Sequence, residues 1–183
     1  MSTAWMQPLP LVAILRGLTP QEAPAIGAAL ADAGFHLLEV PLNSPQPLHS
    51  IELLARQLGD RCLVGAGTVL TTGQVQDVAN AGGRLLVMPH ADVEVIAAAH
   101  ALGMRCTPGV ATPTAAFAPL RAGPDPLKLF PPAPLPPPLS HARPSRLPPR
   151  PAPLPLAATP PAPLAAYPRP PPPRLRLRPP PSA

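Results

Sequence analysis

A single lysine is the residue of this chain whose chemistry stands out. Lys128 lies in the apolar segment PLKLF (126–130), and the 183 residues contain no other lysine. Burial among apolar side chains disfavours the ammonium form and so lowers the pKa of a lysine. A neutral amine can attack a carbonyl carbon and form a Schiff base. The segment therefore predicts a lysine equipped for covalent chemistry with a carbonyl compound.

Further polar side chains lie at or near the carboxyl ends of other apolar segments. Glu39 interrupts LLEVPL and is suited to move protons, whereas Arg16 can hold a carboxylate or phosphate with two hydrogen bonds. An ionised Glu39 near Lys128 would favour the ammonium and oppose the effect of burial. One charge in an apolar run is usually a boundary residue, but several at equivalent ends indicate a shared site. The set comprises Arg16, Glu39, Asn43, Thr68, His90 and Lys128.

The glycines of VGAGTV (64–69) are a second feature of interest. Gly65 and Gly67 would let the backbone approach a ligand closely, with the Thr68 hydroxyl beside them. The segment is not a dinucleotide-binding fingerprint, because position 70, where a third glycine belongs, is leucine.

The segment HADVE (90–94) has two interpretations. His90, Asp92 and Glu94 are residue types that bind metal ions. The favoured interpretation is a loop in which Asp92 caps the following helix.

The segments that carry these residues alternate between strand-like and helix-like. The apolar runs are typical of parallel strands covered on both faces; they are 11–17, 35–42, 62–69, 84–90, 105–110 and 126–131. The alanine-rich segments before them end in a glycine, which terminates helices in the left-handed conformation; these are Gly34, Gly59, Gly82, Gly103 and Gly123. The pattern predicts an α/β fold, either a (β/α)8 barrel short of its last two units or a doubly wound open sheet.

Helix starts are predicted from cap residues followed by proline. LTPQE puts Thr19 at N-cap, Pro20 at N1 and Glu22 at N3, which is a capping box. The dipeptides Ser44-Pro45 and Thr112-Pro113 repeat the signal.

The composition changes near Pro131. Of the 36 prolines, 23 follow residue 130, and the charge is +7 in that part against −2 in residues 1–130. The pI of about 10.6 is therefore set by the basic residues after position 130. It gives no evidence that the folded part binds nucleic acid. We expect residues 1–131 to form the folded domain and residues 132–183 to be non-globular, disordered or in polyproline II conformation.

Two hypotheses explain the tail. Proline, alanine, arginine and leucine all have codons rich in G and C. A one-base frameshift in a GC-rich gene would therefore produce a sequence of this composition, and this is the hypothesis that we favour. Alternatively, RPPPPRLRLRPPP (169–181) is an arginine-flanked PxxP ligand for SH3-type domains. The protein would then be a non-catalytic scaffold.

Compartment and cofactors follow from the remaining features. Cys62 and Cys106 lie far apart without a CxxC motif, which indicates free thiols in a reducing cytosol rather than a zinc site or disulfide framework. The N-terminus does not resemble a signal peptide, and no stretch has the length of a membrane span. We expect a cytoplasmic protein that binds neither membrane nor nucleic acid.

The motifs together resemble a known family. VAILRG, EVPLNSPQ, VGAGTVL, TPGVATPTAAF and LKLFP, in this order and spacing, are similar to the bacterial 2-keto-3-deoxy-6-phosphogluconate/4-hydroxy-2-oxoglutarate aldolases. PLNSPQ looks more like the branch that acts on 2-dehydro-3-deoxy-6-phosphogalactonate. The resemblance runs from about Leu11 to Pro131 and implies a homotrimeric (β/α)8 barrel with a class I mechanism that needs no metal or cofactor.

The resemblance also implies roles for individual residues. Lys128 matches the Schiff-base lysine and Glu39 the general acid and base, while the other matching positions bind or line the substrate; they are Arg16, Thr68, Pro89 and Phe130. The substrate implied is a phosphorylated keto sugar acid of either C4 configuration, cleaved to pyruvate and glyceraldehyde 3-phosphate. Beyond Pro131 the family continues with two more strands that hold the phosphate, and these are absent here. We therefore expect the chain as written to be poorly soluble or inactive.

Overall fold

The computed structural model of the protein describes residues 3–9, 11–122, 126–129 and 154–155. A short 3-10 helix, Thr3–Met6, comes first. The strands are β1 Val12–Ile14, β2 Leu37–Pro41, β3 Leu63–Gly67, β4 Leu85–Val87, β5 Arg105–Thr107, β6 Gly109–Val110, β7 Lys128–Leu129 and β8 Leu154–Pro155. The helices are α1 Ala23–Asp32, α2 Pro47–Leu58, α3 Thr72–Asn80, α4 Val93–Ala101 and α5 Pro113–Ala122. Each apolar run predicted as a strand contains one, except that 105–110 contains two, and a helix follows each of the first five.

The strands are parallel and neighbour one another in chain order. One sheet has the order β1-β2-β3-β4-β5 and the other β6-β7-β8. The predicted fifth strand is split at Pro108, so that β5 pairs with β4 whereas β6 pairs with β7. The Lys128 backbone N–H donates to the Pro108 carbonyl at 2.9 Å. The predicted fifth strand thus contributes to both sheets, β5 to the first and β6 to the second.

The two faces of this layer are covered differently. Leu38 and Val40 of β2 belong to a large apolar cluster with residues of α2, α3 and α4. Leu37 belongs instead to a smaller cluster on the opposite, inner face, which Trp5 and Met6 of the 3-10 helix close. Sequential strand order with the helices on one face is the arrangement of a barrel. A doubly wound sheet reverses its order and has helices on both faces, so that alternative is wrong for the described strands.

Two of the predicted helix caps need correction. Helix α1 begins at Ala23 rather than at Pro20, although the Glu22 carboxylate does accept hydrogen bonds from the Thr19 N–H (3.1 Å) and hydroxyl (2.6 Å). Those bonds hold the pKa of Glu22 below its usual value. Helix α2 begins at Pro47 behind a left-handed Gln46, and Ser44 does not cap it.

Other predicted helix ends are confirmed. The Thr112 hydroxyl accepts from the Ala115 N–H at 3.1 Å at the start of α5. Positive φ angles follow α1, α3 and α4 at the predicted glycines, which are Gly34, Gly82 and Gly103. Gly59 ends α2 in the right-handed conformation instead, with φ −57°, because the chain continues in a turn whose Cys62 N–H bonds to the Leu58 carbonyl. Gly123 lies outside the described residues.

Within residues 132–183, the structure describes only Leu154 and Pro155. Leu154–Pro155 pairs in parallel with Lys128–Leu129, so this dipeptide departs from the disordered or polyproline II conformation expected of residues 132–183. Proline lacks a backbone donor and fits only at an edge or end of a sheet, and on that side β8 is the last described strand. The remainder of 132–183, including the PxxP segment, lies outside the described residues.

Cys62 and Cys106 are both buried and form no disulfide with each other. No helix in the described part of the chain is both long enough and apolar enough to cross a membrane.

Candidate active site

The predicted site residues gather at one edge of the sheet. Arg16 follows β1 by two residues, Thr68 comes directly after β3, and Pro89 lies two residues beyond β4. Because the strands are parallel, these three positions share the carboxyl edge of the first sheet, where barrel enzymes carry out their chemistry. Lys128 begins β7 in the second sheet and pairs with Gly109, which lies two residues beyond the end of β5. Phe130 lies outside the described residues.

Glu39 lies deeper, in the middle of β2. Its neighbours in the sheet are Ile14 of β1 and Gly65 of β3. Side chains alternate along a strand, so Glu39 points to the same inner face as Leu37. The residue is 3% exposed, and its Oε2 atom has no hydrogen-bond partner among the described residues. A carboxyl group held in this way loses much of its solvation.

Burial shifts the pKa values of Glu39 and Lys128 toward their neutral forms. Lys128 is 6% exposed, and its loss of solvation lowers the pKa of the amine, an effect that the Glu39 charge opposes and the Arg16 charge reinforces. Burial raises the pKa of Glu39 to about 7, against the opposing charges of Lys128 and Arg16. Desolvation thus outweighs the mutual attraction for both groups. The opposition between burial and charge that the sequence predicted is therefore decided by burial.

Hydrogen bonds between two neighbouring loops fix the backbone beside Arg16. The Arg16 guanidinium donates to the Asn43 side-chain oxygen at 3.3 Å. The N–H of Gly17, the next residue, donates to the Ser44 hydroxyl at 3.1 Å. Ser44, predicted as a helix cap, serves this loop instead, and is buried. Arg16 remains exposed, so its guanidinium is available to an anion.

Thr68 has a backbone conformation that is unusual for its residue type. Its φ is +59°, in the left-handed region that β-branched residues avoid. The Thr68 N–H donates to the Val87 carbonyl at 2.9 Å, which holds the strained residue against β4. Backbone strain of this kind is concentrated at functional sites.

The HADVE segment is a helix cap. The Asp92 carboxylate accepts from the Glu94 N–H at 2.8 Å and the Val95 N–H at 3.2 Å, as the favoured interpretation predicted. His90 is exposed at the end of the preceding loop. Across the described residues, no group of three or more His, Cys, Asp and Glu side chains is arranged to hold a metal ion.

Sequence reasoning missed Thr107 and did not give Gly67 its role toward Glu39. Gly67 makes room for the Glu39 carboxyl group, because a Cβ atom there would overlap its oxygens. Thr107 is buried at the end of β5, in register with Val87 of the inner cluster, and its hydroxyl donates to the Leu86 carbonyl at 3.4 Å. A polar residue closing an apolar run was the available signal for Thr107; for Gly67 only the three-dimensional contact shows the role.

A family comparison agrees with this arrangement. The sequence profile of the KDPG and KHG aldolases matches residues 3–135. The chain belongs to this family. The 2-dehydro-3-deoxy-6-phosphogalactonate aldolase of Escherichia coli (strain K12) is 50% identical over 127 residues, which are 69% of this chain and 62% of that protein. The chain thus spans less than two thirds of that relative's length.

Solved structures of relatives confirm the barrel fold class. The native KDPGal structure has 44% sequence identity and a TM-score of 0.85, covering 89% of this chain and 79% of that one. A KDPG aldolase from Legionella pneumophila, with pyruvate captured at low pH as a covalent carbinolamine intermediate, has 31% identity and a TM-score of 0.69. It covers 77% of this chain and 68% of that one.

Proposed function

We propose that the site performs class I aldol chemistry on a 2-dehydro-3-deoxy-6-phospho sugar acid, with the galactonate as the first candidate and the gluconate epimer as the second. The observation that carries the proposal is the burial of the single lysine beside Glu39, with both pKa values shifted toward the neutral forms. A neutral amine is the nucleophile that Schiff-base formation requires. The carbinolamine captured in the Legionella relative supports the same chemistry here.

The reaction begins at Lys128. Its amine attacks the C2 ketone of the sugar acid, and loss of water from the carbinolamine leaves an iminium ion. Glu39 as carboxylate, acting through a water molecule, takes the proton of the C4 hydroxyl group. The C3–C4 bond then breaks, its electron pair moves into the iminium to give an enamine, and C4 leaves as the aldehyde of glyceraldehyde 3-phosphate.

The second half returns the enzyme to its starting state. Glu39, now protonated, gives a proton back to C3 of the enamine, and water hydrolyses the resulting iminium to pyruvate and free Lys128. A carboxyl group with a pKa of about 7 is suited to both directions, because it gains and loses a proton at similar cost near neutral pH.

The exposed side chains have complementary tasks. Arg16 offers its guanidinium to the substrate carboxylate or phosphate, and the Thr68 hydroxyl donates to the same molecule. By likeness to the family, Pro89 and Phe130 are assigned to the positions that line the substrate site. By likeness to the family we also propose a homotrimer in the cytoplasm.

Borohydride trapping tests the proposal. The chain is incubated with pyruvate, reduced with sodium borohydride, digested, and its peptides are analysed by mass spectrometry. Pyruvate carries no phosphate, so the test applies even to a chain that does not cleave the phosphorylated substrate. We expect one reduced pyruvate on Lys128 and none in the Lys128→Met variant, while the N-terminal amine serves as an internal control for unselective labelling. Labelling of the N-terminal amine alone would overturn the proposal.

A further inference from the structure

Two loops that follow neighbouring strands are joined by two hydrogen bonds. The loop after β1 supplies the Arg16 guanidinium and the Gly17 N–H, and the loop after β2 supplies the Asn43 oxygen and the Ser44 hydroxyl. The pairs are 27 residues apart in the sequence. Gly17 has a φ of +80°, which gives the first loop the sharp bend that turns its N–H toward Ser44.

The Ser44 hydroxyl is used for the contact with the Gly17 N–H. Ser44 is 8% exposed and does not cap α2, where serine is normally most useful. Its own N–H donates to the Pro41 carbonyl at 2.9 Å, so the residue is fixed to the end of β2. Buried hydroxyl groups need a partner, and Gly17 provides it. Ser44 therefore links the end of β2, the strand that contains Glu39, to the loop that contains Arg16.

The position of Arg16 matters for the reacting groups. The charges of Glu39 and Arg16 both act on Lys128, and the Arg16 charge lowers the pKa of both Lys128 and Glu39. Arg16 is exposed, and charges in solvent are screened. The Asn43 contact holds the Arg16 guanidinium, and the Gly17–Ser44 contact holds the adjacent backbone.

We propose that Asn43 and Ser44 are positioning residues that hold Arg16 over the Lys128–Glu39 pair, an inference that rests on the proposed function of that pair. Neither residue takes part in the bond-making or bond-breaking steps. They act by fixing a cation that both binds the anionic part of the substrate and tunes the two ionisable groups.

The first measurement does not require catalysis. Because Lys128 is the single lysine of the chain, its acetylation by limiting acetic anhydride can be followed across a pH series by peptide mass spectrometry. In Ser44→Ala and in Asn43→Ala we expect the pH midpoint of acetylation to move up by about 0.3–0.7 unit, the size expected of a partly screened charge. Ser50→Ala is the matched control, since Ser50 is a buried serine of α2 without a hydrogen-bond partner in the described part.

A double-mutant cycle identifies the route of the effect. If Ser44 acts through Arg16, adding Ser44→Ala to Arg16→Ala shifts the midpoint no further. Pyruvate trapping is the second readout, and we expect Ser44→Ala to need about fivefold more pyruvate for half-maximal labelling.

The outcomes separate this inference from the proposed function. No pyruvate adduct on the parent chain, together with a Ser44-dependent shift in acetylation, would overturn the proposed function and leave the positioning role standing. Equal acetylation profiles for the parent, Ser44→Ala and Asn43→Ala, or additive shifts in the Arg16→Ala background, would overturn the positioning role.

Discussion

The absence of a side chain at Gly67 creates the space that the Glu39 carboxyl group occupies. A Cβ atom added to Gly67 would overlap the Glu39 Oε2 atom and lie 2.6 Å from Oε1. Gly67 ends β3, and Glu39 lies on the adjoining strand β2, with Pro41 as the register partner of Gly67. The buried acid can therefore keep its place beneath the carboxyl edge only while position 67 lacks a side chain.

Substituting Gly67 should disturb the site more than the fold. In Gly67→Ala the carboxyl group must move within a packed region, and we expect a loss of about 1–3 kcal/mol in the free energy of unfolding and at least a roughly tenfold slower formation of the pyruvate adduct. Urea unfolding and borohydride trapping measure the two effects. Gly73→Ala is the control, because position 73 in α3 is open and alanine favours a helix by about 0.5–1 kcal/mol. Unchanged adduct formation in Gly67→Ala would contradict this steric role.

The buried acid should also make stability depend on pH. The pKa of Glu39 is about 7 in the folded chain against 4.5 for the free group, so between these values the folded state keeps a proton that the unfolded state has lost. Its contribution is complete below pH 4.5 and is lost as the pH rises to 7, an effect of about 3 kcal/mol. Urea midpoints measured from pH 4.5 to 8 should show this fall in the parent chain and a flatter profile in Glu39→Gln. A Glu94→Gln control, in which an exposed acid is changed, should follow the parent; a parent profile that matches Glu39→Gln would refute the prediction.

Local sequence patterns were sufficient to predict the order of strands and helices. The apolar runs and the Asp92 cap follow from residue types and short spacings, because periodicity and burial act over a few residues. Lys128 and Glu39 were singled out one by one, as ionisable residues inside apolar segments. The split of the fifth strand at Pro108 was missed, since it depends on which neighbour each half meets. Ser44 was misassigned as a cap because its true partner, Gly17, is 27 residues away.

The sequence also could not predict whether burial or charge would dominate the pKa values at the site. The types of Lys128 and Glu39 gave two opposing effects of unknown size. Only the degree of burial, 6% and 3% exposure respectively, decides that desolvation prevails. Gly67 was singled out for its close backbone approach, but its role toward Glu39 required the register of two strands.

Asp92 offers a test between a helix cap and a metal ligand. Because its carboxylate accepts two backbone N–H groups at the start of α4, Asp92→Ala should lower the free energy of unfolding by about 1 kcal/mol. Asp92→Asn, which keeps a good cap, should cost only a few tenths of that amount. Adding EDTA should leave the urea midpoints of all three proteins unchanged. A large effect of EDTA on the parent would favour the metal interpretation.

The edge strand β1 predicts self-association. In the described part of the chain β1 pairs with β2 alone, and an unprotected edge invites pairing with another molecule. Leu11, which precedes β1, is 45% exposed, so a charge there should protect the edge. We expect Leu11→Lys to reduce light scattering of concentrated samples. Leu70→Lys is the control, since Leu70 is also 45% exposed but lies in the loop before α3; equal scattering of the two variants would argue against association through β1.

The tail hypothesis is tested in the gene itself. The family match ends at residue 135, within a few residues of the point where the proline content rises, and a one-base slip changes every later codon at once. Resequencing the DNA across codons 128–135 and translating it in all three frames should reveal a frame that continues the family match, with glycine-rich turns in place of the proline tract. Joining that frame to residue 131 should give a soluble protein that cleaves the phosphorylated keto acid. High-quality reads through an uninterrupted frame would instead establish the proline-rich tail as genuine, and the cause of the composition change would then have to be sought in the protein.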